Sequence, residues 1–142
     1  MAQQYEAKLV NEYLADAYLQ KHYEVRQWLG VPPLKEFREA SSVVNRWADA
    51  IVFEPHKITI IEAKMRPDPK AIGQLKMYAD LFKRTPRFSR YEKLPVDSVF
   101  LTTAEDDGVR ALCEREGIEY RVFRPKWIED WEAVKFRLKP GI

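Results

Sequence analysis

Two carboxylates and a lysine, Asp49, Glu62 and Lys64, lie in the stretch 47–78 at spacings that would bring them together. Residues 58–64 read Ile-Thr-Ile-Ile-Glu-Ala-Lys, an apolar and β-branched run that predicts a buried strand delivering two charged groups at its end. Side chains two apart on a strand leave one face, so Glu62 and Lys64 project together and Ala63 turns away. A strand predicted over 47–54 carries Asp49 near its start, and the turn-like Pro55-His56-Lys57 joins the two strands. Strands connected this closely pair antiparallel, which sets Asp49 beside Glu62 and Lys64 at one end of a sheet. Burying carboxylates costs several kcal/mol unless a cation or partner offsets it. A hard divalent ion would do so: magnesium takes oxygen ligands, keeps several waters and usually needs only one or two protein carboxylates. A lysine beside it would orient or help deprotonate an attacking water and stabilise charge building on a phosphate. Glu-x-Lys alone reads first as a surface cross-strand pair. Asp49 thirteen residues upstream, the two hydrophobic strands and the helix that follows turn the reading toward a site.

That helix is predicted over 69–84, with Asp68 as N-cap and Pro69 at the first helical position. Ile72, Leu75, Tyr78, Ala79 and Phe82 form its apolar stripe, and Gln74 and Tyr78, four apart, share a face. Asp49, Glu62-Ala63-Lys64 and Gln74-x-x-x-Tyr78 resemble, in order and spacing, the core motifs of the PD-(D/E)XK nuclease superfamily; the trailing Gln-x-x-x-Tyr is similar to its RecB-like branch. The resemblance covers about residues 47–82. It departs at Ala48, where the motif has a proline at a variable position. It implies one or two magnesium ions, with manganese as substitute, held by Asp49, Glu62 and a main-chain carbonyl near Ala63. Lys64 would act on the water or the pentavalent phosphorus, and Gln74 and Tyr78 would brace the site or contact the nucleic-acid backbone. The implied function is a magnesium-dependent deoxyribonuclease hydrolysing DNA phosphodiester bonds. The alternative is a nuclease-fold DNA-binding or scaffold protein with weak or no turnover, which would usually lose Asp49, Glu62 or Lys64; all three are present. Small members of the superfamily often pair to cut both strands, so a homodimer or a larger DNA-processing complex belongs to the same expectation.

The elements that must position these residues begin with a helical pattern over 3–22, where Leu9, Val10, Tyr13, Leu14, Ala17 and Tyr18 form one stripe. Glu6 lies near the middle of that stripe and Glu12 well off it. In the resembled superfamily a glutamate of this helix often joins the metal site, which makes Glu6 the candidate third ligand. Glu6 equally suits the first turn of a helix, where an acidic group complements the dipole. A first strand is predicted over 23–29, ended by Gly30 and Pro32-Pro33. Residues 34–45 read as a mixed-charge bridge into the strand bearing Asp49. Residues 85–95, with two prolines and three basic residues, read as an exposed connection. A strand over 97–103, a helix opened by a Thr103/Asp106 capping box and ended by Gly117, a strand over 118–123 and a helix over 126–135 complete the order. Trp127, Ile128 and Trp131 give that last helix its apolar face. His22, at the end of the first helix, and His56, in a turn, have no ligand spacing and are read as structural.

The expected fold class is α/β: a central mixed sheet flanked by helices, resembling the restriction-endonuclease-like α-β-β-β-α-β core with a C-terminal extension. The 142 residues suit one domain, 1–142. With 46% apolar and 32% charged residues, the chain has the composition of a globular protein and not of a disordered one. The sequence has no apolar run near membrane-spanning length and no charged-then-apolar leader, so no membrane partner is expected and a cytoplasmic setting, of a cell or of an infected host, is the default. The single Cys113 excludes an internal disulfide and reads as a small buried hydrophobe. The net charge of +2 hides an asymmetry. Residues 64–93 carry nine basic groups against three acidic ones, while the rest carries fifteen against nineteen. A phosphate-rich partner, DNA in this reading, would be drawn to that segment, with Arg66, Lys83, Arg87 and Arg90 as candidate contacts.

Overall fold

A computed structural model of the chain describes residues 2–30 and 47–137. The expectation for residues 34–45 lies outside the described residues. In chain order the elements are α1 (Ala2–Ala17), β1 (His22–Trp28), β2 (Trp47–Phe53), β3 (Ile58–Ala63), α2 (Lys70–Arg84), a 3₁₀ helix (Pro86–Tyr91), β4 (Val96–Thr102), α3 (Asp107–Arg115), β5 (Ile118–Val122) and α4 (Trp127–Arg137).

The five strands form one sheet in the order β1-β2-β3-β4-β5. The first three pair antiparallel, β2 and β3 through the short connection 54–57, and β3, β4 and β5 run parallel, each crossover carrying a helix. The expected α/β class with a mixed sheet is what forms. β3 is central, and all six of its residues are buried, which is why it reads as an unbroken apolar run. Ile58, Ile60 and Ile61 are fully buried, each contributing about 1.5–3 kcal/mol relative to exposure.

Alternation along the strands supplies two cores. On one face Ile51, Phe53, Ile58, Ile60 and Phe100 pack with Leu75, Tyr78 and Phe82 of α2 and with Val109 and Cys113 of α3. On the other, Ala50, Val52, Ile61, Ala63, Val99 and Leu101 meet Leu9, Val10, Tyr13 and Leu14 of α1 and Ile128 of α4. Cys113 is the buried small hydrophobe its neighbours predict, and burial pushes its thiol up.

Several boundaries differ from expectation. His22 opens β1 and does not end a helix, because α1 stops at Ala17 and a turn follows. Residues 85–95 are more than an exposed connection. They hold the 3₁₀ helix, whose Phe88 stacks on Phe82 at 5.0 Å between centroids and packs against Phe53. Thr85 is buried there, its hydroxyl donating to the Leu81 carbonyl and accepting from Gly30 N–H, both at 2.8 Å. Thr103 does not cap α3. Asp106 does, accepting from Val109 N–H at 3.0 Å, while the Thr103 hydroxyl donates to the Met65 carbonyl. At the start of α2 the Asp68 carboxylate accepts from Lys70 N–H at 3.0 Å, and Pro69 already has helical dihedrals. Gly117, at φ 71°, turns the chain out of α3 where a side chain would be strained.

Candidate active site

The antiparallel register of β2 with β3 pairs Ala50 with Ile61. Carried one residue further, it sets Asp49 across from Glu62. The register of β1 with β2 runs without a slip from Val25↔Ala50 to Gln27↔Ala48, which sets Arg26 across from Asp49. A cation and two carboxylates therefore form a row across three neighbouring strands. They floor a cleft of about 330 Å³ at the end of the sheet where β2 begins and β3 stops. α1 lends Glu6 and Asn11 to its wall, α2 lends Gln74 and Tyr78, and Lys64 follows directly on β3.

Glu62 is 5% exposed, and its Oε1 has no hydrogen-bond partner among the described residues. Burial, then the neighbouring Asp49 carboxylate, push its carboxyl up to about 9, against the pull of Lys64. The Lys64 ammonium lies 3.7 Å from Glu62 Oε2. Asp49 Oδ2 accepts from Ala63 N–H at 2.7 Å, which fixes its orientation; burial still raises its carboxyl above the ordinary value. Glu6 Oε2 accepts from Met65 N–H at 3.4 Å, and burial raises it as well, with Lys64 opposing. Burial, then the charges of Glu62 and Asp49, raise the Tyr78 phenol. The Gln74 Oε1 is a second buried acceptor without a partner among the described residues.

Burial disfavours the charge on both carboxylates, Asp49 further disfavours that on Glu62, and Glu62 Oε1 is buried without a partner among the described residues, an arrangement whose chemistry suits a hard cation. Such an ion would lower both carboxyls back to their charged forms and give Glu62 Oε1 the partner it lacks. Among the described residues no three Asp, Glu, His or Cys side chains gather closely enough to hold one ion by themselves. The remaining ligands of a small octahedral ion would be water, substrate or main-chain oxygen.

The structure brings Asp49, Glu62, Lys64, Glu6, Gln74 and Tyr78 to this one cleft. Glu12 stands elsewhere, accepting from the Trp127 indole N–H at 2.8 Å. The basic candidates are not in the cleft. Arg66 lies over the Trp131 ring, on the side of the sheet that α4 covers. Arg87 donates to Gln27 Oε1 and to the Trp28 carbonyl, both at 2.7 Å, and so ties the 3₁₀ helix to β1. Arg90 lies over Tyr91 and donates to its hydroxyl, and Lys83 is exposed near the end of α2. Arg26 and Trp47, both lining the cleft, have no counterpart in the sequence reading. The two-residue alternation that joins Glu62 to Lys64 would also have put Trp47 on the face of Asp49. No local pattern flags Arg26, whose place follows from the β1–β2 register and from a left-handed φ of 49°.

The architecture is that of an endonuclease-like α/β fold, and solved structures of repair endonucleases share it. A crystal structure of a repair endonuclease from Pyrococcus abyssi superposes with a TM-score of 0.55 at 21% identity, over 84% of this chain and 47% of that one. EndoMS in a complex with double-stranded DNA gives a TM-score of 0.53 at 17% identity, over 84% and 44%. EndoMS in its apo form gives 0.55 at 18%, over 84% and 46%. The chain thus spans less than half the length of each of these proteins. No protein-family model matches the sequence, and no curated protein sequence does.

Proposed function

We propose that the chain is a metal-dependent nuclease that hydrolyses DNA phosphodiester bonds, built as one PD-(D/E)XK domain over residues 1–142 with the Gln-x-x-x-Tyr helix of the RecB-like branch. The observation that carries this reading is the buried Asp49–Glu62 pair, with Glu62 Oε1 unpartnered and the Lys64 ammonium 3.7 Å from the other oxygen. The endonuclease fold of its structural neighbours supports it.

Asp49 and Glu62 would hold magnesium, or manganese in its place, with Glu6 at the rim of the same cleft. When bound, the ion supplies Lewis acidity toward water and phosphate. Asp49 is held for this by the Ala63 N–H. Lys64 donates to a non-bridging phosphate oxygen and stabilises the charge that grows there as the phosphorus becomes pentavalent. Gln74 Oε1 offers an acceptor that can orient the attacking water, and Tyr78, rooted in the core, lines the same cleft and would brace it. A cytoplasmic setting and pairing of two copies to cut both strands fit this activity.

The test is cleavage of labelled linear, circular and branched DNA in magnesium. Products from any of these, lost in excess EDTA and in Asp49→Ala, are expected. Cleavage that survives EDTA would remove the metal from the mechanism. A wild-type chain that binds DNA and cuts none of the three would be the inactive scaffold instead.

A further inference from the structure

Beside the carboxylates, the cleft carries a cation and an aromatic ring that the hydrolytic scheme leaves unused. Arg26 lies across from Asp49, and its positive field favours the Asp49 carboxylate. Its guanidinium carbon is 5.7 Å from the centroid of the Trp47 ring. Trp47 precedes Asp49 by two residues, so it shares that face of β2, and it is 44% exposed where most large apolar side chains are covered. Among the described residues the Arg26 side chain makes no hydrogen bond and no ion pair, and its guanidinium carries five N–H donors. It also holds a left-handed φ of 49° without breaking the register on either side. Arginines outside the cleft differ: Arg87 and Arg90 are committed to protein acceptors.

A planar cation stacked near an exposed indole is a recurrent recipe for one nucleotide, the guanidinium taking the phosphate and the indole the base. Only an unpaired base offers its face to such a ring. Resting on the nuclease reading of the same cleft, we infer that Arg26 and Trp47 form a subsite for the nucleotide next to the scissile phosphate, and that the preferred substrate is DNA unpaired at that position. The strand then runs across the row of β1, β2 and β3 residues. Arg26 stands on the β1 side of the carboxylate pair and Lys64 directly after β3, and the two face successive phosphates.

The experiment compares one labelled oligodeoxynucleotide as a single strand and as a fully paired duplex. Steady-state cleavage in magnesium gives kcat and KM. Binding is read in a Lys64→Ala background from the quenching of a 2-aminopurine placed beside the scissile position. Trp47→Ala is expected to weaken single-strand binding by roughly 5- to 150-fold, the range found when a stacking aromatic is removed. It should also abolish the quenching, shift KM and not kcat, and leave duplex binding within about twofold. Trp47→Phe should restore most of the loss. Arg26→Gln should make the slope of log affinity against log salt shallower by about 0.7, the release expected for one single-strand phosphate. If Trp47→Ala does not fold, Trp47→Phe with partial quenching and the Arg26→Gln slope carry the same test. Wild-type cleavage with unchanged KM, quenching and slope in these variants overturns the subsite and leaves the nuclease intact. Equal losses on single strand and duplex overturn the unpaired preference. A wild type that cuts neither substrate in magnesium or manganese removes the nuclease reading, and the subsite falls with it.

Discussion

Glu62 is the residue on which the electrostatics of the cleft turn. Its unfolded-state value is 4.5 and its folded value about 9, so between these the metal-free folded chain keeps a proton that the unfolded chain has released. Stability must then fall as pH rises through that window, the opposite of the usual salt-bridged carboxylate. The metal-free protein should melt at a lower temperature at pH 8 than at pH 5.5, by calorimetry in EDTA. Glu62→Gln, which cannot ionise, should flatten the dependence and raise the pH 8 melting temperature by something on the order of 5 °C. An unchanged profile would mean the carboxylate is solvated. Lys64 makes a different prediction. If its ammonium acts on the transition state, Lys64→Ala should lower kcat by about a hundredfold or more with little change in DNA affinity. A kcat near wild type would reduce it to a partner for Glu62. Glu6→Gln should weaken metal dependence or activity, since Glu6 lines the cleft. Glu12→Gln should leave both near wild type, since Glu12 meets Trp127.

At the scale of elements, the cleft depends on how firmly the end of α2 is tied to the end of β1. Thr85 makes that tie from a buried position, bonded at once to Leu81 and Gly30, and Arg87 adds the bonds to Gln27 and Trp28. Thr85→Val keeps the shape and removes the hydroxyl, leaving Gly30 N–H without its acceptor; a loss of about 1–3 kcal/mol in urea unfolding is expected. Phe88→Ala, which empties the contact with Phe53 and Phe82, should cost about 3–5 kcal/mol. A loss below about half a kcal/mol for either would mean that the clasp is not part of the fold. These ties were the part the sequence did not disclose. β3, α2 and the Asp49–Glu62–Lys64 grouping were legible because they rest on local regularities: alternation, a short connection and a four-residue helical spacing. The 3₁₀ helix was missed because Pro86, Arg87 and Arg90 read as solvated loop, while Phe88 is buried against Phe82 and against Phe53, which is more than thirty residues away in sequence. Thr103 was misread for the same reason: its partner is the Met65 carbonyl, in the connection after β3, and Asp106 supplies the cap. Arg26 depends on strand register, which no single window of sequence contains.

Over the whole molecule, helices on both faces of the sheet leave the site at one end, and of the basic residues of 64–93 only Lys64 is part of its lining. No helix among the described residues is long and apolar enough to cross a membrane. DNA affinity should fall steeply with salt, and replacing Arg87 and Arg90 together should make the slope shallower by roughly one to two for duplex DNA if both reach phosphates. Since Arg87 also holds β1, that variant should lose melting temperature as well; a stable variant with an unchanged slope would place the DNA path on another side of the sheet. Everything proposed for the cleft rests on a divalent ion between the two buried carboxylates. The most direct measurement is a crystal of the protein soaked in manganese, with anomalous scattering used to locate the ion. A peak between Asp49 and Glu62, absent in Asp49→Ala, is the expected result; an empty cleft in the wild type would contradict the account.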